Sequence, residues 1–496
     1  MSKYFKILIF VLISTVSCDT YEVEDFSSDL AESISLIEDT TRFYPTFNKL
    51  TKHYAAKTTH SIDEIKIKSK YESEIYVNGN LIGVGEANFN IGNKNFEETL
   101  IVTFKFKNQI EAYYIHIIDE SIPDIVIEEK LDGHDKGFYI MSTNYKHDNI
   151  TYGILLIINN DGVPIYRKRV DNRVTDFKQH SNGMYSYVYR KKNKNDFGFW
   201  NNEIVILDNE LNEIDRVETI GLNHTDNHDF IITNEQTYIL MSYNSSYRDL
   251  SEFGLSNNQL TRDSVIQEIS KSGDVIFEWN SYDYLNISDC LVHRFPDDYA
   301  HINSIFLDND SNIIASFRGC SMVLKINRKN GNVIWSIGGS NPSLKIVNDP
   351  FNEVCGQHTA SISKDGLLTI FDNGGHCNFD RENIYGRFSR AVSYKLDIEN
   401  SEAVFDSHFL IDNSKNYYSI SGGSFYETRN GNWLINWSRG VNYPMTEVNA
   451  NSMSIVMKTK LVKDKRMLTN YRINRIYKAN IPIKINDYDI IFRFDE

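Results

Sequence analysis

The amino-acid sequence predicts an all-β protein, a six-bladed β-propeller preceded by a small β-sandwich. Three observations carry that expectation. Aromatic residues make up 13% of the 496 residues, with 30 Tyr and 28 Phe against 8 Pro, and aromatic and β-branched side chains fit pleated, half-buried surfaces. Across residues 130–496 an apolar strand, a polar turn and a second strand recur in units of roughly 50 to 70 residues, near the length of a propeller blade. A second element, a turn feeding one apolar strand, recurs as often and alternates with the first.

Taken from the N-terminus, residues 1–18 read as a secretory signal. Lys3 and Lys6 precede the apolar run Ile7 to Val16, and small residues lead into Cys18, the layout of an export signal. The run is too short for a bilayer, which needs about 20 apolar residues. Thr15-Val16-Ser17-Cys18 resembles the bacterial lipobox, which makes Cys18 the lipidation site; a plain signal peptide with an incidental cysteine is the alternative. The expected location is the periplasm, or the outer membrane or cell surface as a lipoprotein, with the membrane met only through that anchor. Residues 19–61 are polar and acidic and read as a tether, with Ile34-Ser35-Leu36-Ile37 as its candidate for structure.

Residues 62–127 read as the sandwich. Ile65-Lys66-Ile67-Lys68 alternates, and Ile75-Tyr76-Val77 and Leu81-Ile82-Gly83-Val84 flank Asn78-Gly79, a strong hairpin signal. Strands at Thr99 to Phe104 and Ala112 to Ile117 complete it. In the propeller region the first element occurs around residues 156–163, 205–210, 267–274, 324–332, 394–400 and 456–463. The second begins at residues 136, 182, 234, 310, 365 and 430. Radial packing lets such sheets bury both faces while exposing only short edges; a long sandwich or barrel array would explain the strands but not the alternation.

The formal charge of −15 argues against a nucleic-acid partner, because phosphate backbones are met by clustered Lys and Arg. Cys290, Cys320, Cys355 and Cys377 lack the CxxC spacing of a zinc cluster. Export permits disulfides among them, with three pairings open.

Propellers gather function from loops of several blades around a central channel. Asn227-His228-Asp229 precedes the third turn-strand element. His301-Ile302-Asn303 precedes the fourth, whose strand ends at Arg318. Gln357-His358 precedes the fifth, whose strand ends at Phe371-Asp372-Asn373-Gly374. Three histidines thus hold matching repeat positions, and in a closed ring such positions converge on one layer of the channel. The weakest local match is His228, because His224 lies four residues earlier.

The spacing His301-x-Asn303 with Arg318, the Gln357-His358 pair, the following Phe371-Asp372-Asn373-Gly374 and the stretch Gly331 to Gly339 around Trp335 resemble the bacterial arylsulfotransferase family, which uses no nucleotide sulfate. The resemblance implies ping-pong transfer from a phenolic sulfate donor to a phenolic acceptor through a sulfated histidine, with no cofactor or metal. It assigns His358 as nucleophile, Asn303 and Arg318 to substrate binding, and His228 and His301 to acid/base work, their division left open. It also allows a homodimer through the small domain. The residues fit that chemistry: neutral imidazole is a competent nucleophile, and a planar guanidinium matches the oxygens of an oxyanion. Two other readings compete, a non-catalytic propeller that binds an anion or a partner, and a His-based metal-dependent hydrolase.

Overall fold

Burial alternates along the strands as it must when one sheet face meets a core: in Glu64–Ser69 every second residue is buried. The computed structural model describes residues 29–495 apart from 40–41, 60, 62, 197–198, 291–295, 376–385, 412–416, 439–444, 463–466, 469–470 and 486–487. The signal segment, Cys18 and Cys377 lie outside the described residues. The chain divides into two units, residues 1–120 with 483–490, and residues 121–482 with 491–496.

In the first unit nine strands form one hydrogen-bonded path. Its order is Ala31–Leu36, Glu64–Ser69, Glu86–Asn90, Asn80–Val84, Glu74–Val77, Thr99–Phe106, Gln109–Ile118, His53–Lys57 and Phe43–Tyr44. The path folds back on itself, because the Glu111 carboxylate near one end accepts the N–H groups of Leu30 and Ala31 at the other. Strands from both ends enclose one apolar core that includes Ile34, Tyr54, Ile67, Val102 and Ile115. The Asn78-Gly79 hairpin is present with Val77 opposite Asn80. Both turn residues have left-handed φ, 49° and 79°, which a two-residue turn of matching twist requires.

The tether is shorter than the sequence suggested. Three of the nine strands lie within residues 31–57, and Leu36, Tyr54 and Ala56 are buried among the sandwich core. His53–Lys57 pairs in parallel with Gln109–Ile118, and a parallel partner so distant in sequence leaves no local signal. The boundary also moves. Asp124–Lys130, assigned to the sandwich by its position, pairs with Ser454–Val462 and so belongs to the second unit.

That second unit is a six-bladed propeller among the described residues. Blade 2 comprises Val174–Gln179, Tyr185–Lys194, Trp200–Leu207 and Glu213–Val217. Blade 3 comprises His224–Ile232, Tyr238–Arg248, Gln259–Ile269 and Val275–Asn280. Blade 4 comprises Ile302–Leu307, Ile313–Phe317, Met322–Ile326 and Val333–Gly338. Blade 5 comprises His358–Ile362, Leu368–Asp372, Arg390–Asp397 and Glu402–Phe409. Blade 6 runs from Ser424–Glu427 through Trp433–Asn436 and Met445–Asn449 to Ser454–Val462, with Asp124–Lys130 added at its edge. Blade 1 takes Phe138–His147, Ile150–Ile158 and Pro164–Val170, and borrows Ile473–Ile476 from beyond blade 6 to pair with Phe138–His147. The ring is therefore closed by a strand from each end of the propeller sequence. First strands of successive blades lie side by side around the channel.

The second repeated element proves to be the turn into the second strand of each blade. The first element joins third and fourth strands in blades 1 to 5. Its sixth copy was misread: residues 456–462 lie within the single strand Ser454–Val462, and the corresponding turn of blade 6 falls earlier, after Met445–Asn449. Blade contacts are apolar. Trp279, Phe317 and Leu324 sit in the core between blades 3 and 4, and Trp335, Ile370 and Tyr394 in that between blades 4 and 5. Full burial of one such aliphatic or Phe side chain stabilises by roughly 1.5–3 kcal/mol.

Candidate active site

The first strands of blades 2 to 5 each lose register with the second strand at one place. The breaks fall between Thr175 and Lys178, Thr225 and Phe230, Ile302 and Ser304, and His358 and Ala360. A bulge of this kind re-aims side chains beside it. Asp176, His228, Asn303 and His358 all stand in or beside these breaks. Asp176, His301 and Thr359 take left-handed φ of 51°, 45° and 46°, strain of about 1–3 kcal/mol each that persists where surroundings impose it. Matching repeat positions thus become a ring of side chains.

The structure brings the three expected histidines together. The rings of His228 and His301 meet edge-on with centroids 5.1 Å apart. Tyr471 lies 5.4 Å from the His228 ring and 6.0 Å from the His358 ring. Each imidazole is held through Nδ1, but by different chemistry. His228 Nδ1 contacts the Asp226 carboxylate at 2.8 Å, and His301 Nδ1 contacts Asp298 Oδ2 at 2.6 Å. His358 Nδ1 instead meets the amide oxygen of Asn373 at 2.7 Å, while its Nε2 accepts the Gly422 N–H at 3.1 Å.

Burial, neighbouring charge and these partners together set the protonation. Burial, then the Arg318 charge, holds His358 well below the ordinary imidazole pKa. Burial also opposes protonation of His228, but the Asp226 carboxylate outweighs it and raises the pKa. The Asp226 and Asp298 carboxyls are themselves held low, because the attraction of His228 and His301 overcomes the cost of burial.

Arg318 follows the second strand of blade 4, and its backbone N–H donates to the His301 carbonyl at 2.9 Å. Its Nη2 lies 3.5 Å from the Ile420 carbonyl, and among the described residues its buried Nε has no hydrogen-bond partner. Among the described residues no carboxylate pairs with it. A buried donor left unmade costs about 1–3 kcal/mol, more when charged, and an anion bound at this guanidinium would remove that cost. Asn303 is fully buried, and one amide hydrogen goes to the Gln357 carbonyl at 2.7 Å. Its first duty is to tie blade 4 to blade 5. The Gln357 amide returns the tie, donating to the Met322 carbonyl at 3.0 Å.

The stretch Phe371 to Gly374 explains itself residue by residue. Phe371 packs between blades 5 and 6. Asp372 accepts the fully buried Arg390 at 2.9 Å and the N–H groups of Cys355 and Gly374. Asn373 holds His358. At Gly374, φ is 70° and an added Cβ would lie 1.8 Å from the Phe388 carbonyl, so no other residue fits. A disulfide joins Cys290 to Cys320, two residues beyond Arg318. Cys355 is also disulfide-bonded.

Sequence reasoning missed five residues at the site. Asp226 and Asp298 stood in plain sight, two and three residues before their histidines, and a search for carboxylates near each histidine would have found them. Asn373 was part of a quoted motif but had no role. Tyr471 and Arg472 carry no local signal, because only ring closure brings them in. The Tyr471 hydroxyl and Arg472 both donate to the Asn303 carbonyl at 3.2 Å. Arg472 also pairs with Asp176 and Asp229 at 3.0 and 2.9 Å, and Lys178 contacts the same two carboxylates. Two acids and two bases therefore neutralise one another beneath the histidines.

Among the described residues no three His, Cys, Asp or Glu side chains are arranged to hold a metal ion. No curated protein matches the chain at a significant level. It is similar to a solved protein of unknown function from Bacteroides caccae, at 10% identity and a TM-score of 0.42, over 70% of this chain and 99% of that one. It is also similar to a quinonprotein alcohol dehydrogenase-like protein from Bacteroides thetaiotaomicron, at 10% identity and a TM-score of 0.35, over 90% and 99% of the two chains. The sequence pattern of the arylsulfotransferase (ASST) family matches residues 124–478, a span that begins and ends with the two strands that close the ring, and the chain belongs to that family.

Proposed function

We propose that the protein transfers a sulfuryl group from an aryl sulfate to a phenolic acceptor in two steps, through a sulfated His358 and without a nucleotide sulfate. Membership of the arylsulfotransferase family supports aryl sulfuryl transfer in general. The observation that carries the finer reading is the difference in Nδ1 partners: an amide behind His358, carboxylates behind His228 and His301. A neutral imidazole has a lone pair to give, whereas the carboxylate behind His228 raises its pKa and helps it hold a proton.

In the first step the Gly422 N–H releases His358 Nε2, whose lone pair attacks the donor sulfur. The N–S bond forms, the aryl S–O bond breaks, and its electron pair leaves on the phenolic oxygen. That oxygen takes a proton from His228 or His301. In the second step the same base removes the acceptor's proton, the phenolic oxygen attacks sulfur, and the N–S electrons return to Nε2. Arg318 offers its unpartnered Nε donor to the sulfuryl oxygens, and Asn303 is assigned to substrate binding with it.

Mass spectrometry after incubation with 4-nitrophenyl sulfate alone tests the reading. A sulfuryl adduct on the peptide containing His358 is the expected result, and full activity in chelator-treated protein goes with it. An adduct on another residue, or none from a range of aryl sulfates on folded protein, overturns it. Export and lipidation at Cys18 belong to the same proposal. Labelled palmitate should enter the protein in the producing cell and be absent from the Cys18→Ala variant.

A further inference from the structure

We infer that Asn373 is the positioning residue of the transfer: its side-chain amide selects which nitrogen of His358 attacks and holds the Gly422 N–H over that nitrogen. The inference rests on His358 being the nucleophile, and it begins with the orientation of one amide. Asn373 is 1% exposed. Its Nδ2 lies 2.9 Å from the Ser419 carbonyl and 3.0 Å from the Gly422 carbonyl. Both neighbours only accept, so the nitrogen must face them, because the reversed amide would set its oxygen against two carbonyl oxygens.

With the nitrogen fixed, Oδ1 points at His358 Nδ1 at 2.7 Å and can only accept. The imidazole hydrogen therefore resides on Nδ1, and Nε2 carries the lone pair. The contact on the other side agrees: the Gly422 N–H donates to Nε2 at 3.1 Å. One acceptor and one donor, both set by Asn373, thus select one tautomer. The same Asn373 Nδ2 that fixes the amide also holds the Gly422 carbonyl, so it sets the height of the Gly422 N–H above Nε2. Once sulfur occupies Nε2, that N–H loses its acceptor and faces the oxygens bound to sulfur.

Asn373 itself is held rigidly. Its own carbonyl accepts the Ser389 hydroxyl at 2.7 Å. Asp372 before it is fixed by Arg390, which also grips Asp349 with two bonds of 2.8 Å. Gly374 after it leaves room for no Cβ. The charged and titratable groups acting on His358 are Arg318, His228 and His301, with Tyr471 against its ring. No carboxylate contacts its ring nitrogens among the described residues. An amide thus orients the ring while favouring its protonated form less than burial and Arg318 disfavour it, whereas a carboxylate there would hold a proton on the ring.

Two variants and one spectroscopic measurement test this. Donor-only sulfation of His358 is followed by mass spectrometry as a function of pH, with near-ultraviolet circular dichroism to verify folding. In Asn373→Asp a carboxylate faces Nδ1, so the acid limb of the sulfation rate should move to higher pH by about one unit or more. In Asn373→Ala the tautomer is no longer selected, and the rate should fall about 100-fold without that upward movement of the limb. An Asp variant whose limb stays with the wild type, or an Ala variant within about threefold of wild-type rate, overturns the inference. Nitrogen-15 NMR of histidine-labelled wild type, assigned against His358→Gln, should show a protonated Nδ1 and an unprotonated Nε2. The opposite tautomer overturns the inference even if no donor sulfates the protein, in which case the transferase reading fails separately.

Discussion

The two walls of the channel are built from the same strand position yet set different partners behind their imidazoles. On blades 3 and 4, His228 and His301 each put Nδ1 against a carboxylate. On blade 5, His358 puts Nδ1 against a buried amide, and its charged neighbour is Arg318, which no carboxylate among the described residues pairs with. The repeat supplied an imidazole three times, and the partner behind each one divided the labour. A histidine in a repeat is therefore assigned by what stands behind it.

Removing the nucleophile breaks the comparison most severely. His358→Ala should lower turnover by about 10⁴-fold or more and abolish the donor-only adduct, while His228 and His301 keep their carboxylates. Adduct formation elsewhere in the variant would show that the amide-backed wall is not the covalent one. Arg318→Met should cost about 10²–10³-fold in kcat/KM, the scale of a lost oxyanion donor. It should also move the acid limb of sulfation upward, because the Arg318 charge is one of the causes that hold the His358 pKa low. Arg318→Lys tests the fork: charge without planar, paired donors should recover only part of the loss.

The histidines of this contrast were legible in the sequence, for a physical reason, though their partners were not. The strand and turn periods of the blades are local, so the repeat showed through, and with it the matching positions of His228, His301 and His358. Arg318 could be read because it ends the strand opposite His301 by spacing alone. The determinants that sort the histidines were less visible. Asp226 and Asp298 act on histidines two and three residues along the chain, so their roles were within reach of local reasoning. The Asn373 role depends on the Ser419 and Gly422 carbonyls, nearly fifty residues away, and Tyr471 arrives only when Ile473–Ile476 closes blade 1. Non-local closure also hid the strands at 31–57 and moved Asp124–Lys130 from the sandwich to blade 6. Period reveals elements, whereas long-range pairing decides which of them meet.

The carboxylate-backed wall is tested by how loss of activity varies with the donor. His228→Gln and His301→Gln should each slow transfer by about 10²-fold with donors of weakly acidic phenols, where the leaving oxygen needs a proton. With 4-nitrophenyl sulfate, whose phenol leaves easily, the effect of the proton donor should shrink towards unity. The histidine that serves as proton donor is the one whose loss steepens the dependence of rate on phenol acidity. A variant that slows all donors equally acts through positioning instead.

The smallest effect is on stability, and the two walls should show it with opposite sign. Folded His358 resists protonation, so as pH falls below 6.5 the unfolded chain binds a proton that the folded one refuses. Stability from this group is therefore lost on acidification. Folded His228 holds its proton above the ordinary value, so its contribution is complete below 6.5 and is lost as pH rises through the folded pKa. Each slope is bounded by about 1.4 kcal/mol per pH unit for one proton. Denaturant midpoints measured across pH for the wild type, His358→Gln and His228→Gln isolate them as differences. His358→Gln should flatten the decline on the acid side, and His228→Gln should flatten the decline on the alkaline side. If both substitutions flatten the same side, the amide and the carboxylate do not separate the two imidazoles, and the division of labour between the walls fails with them.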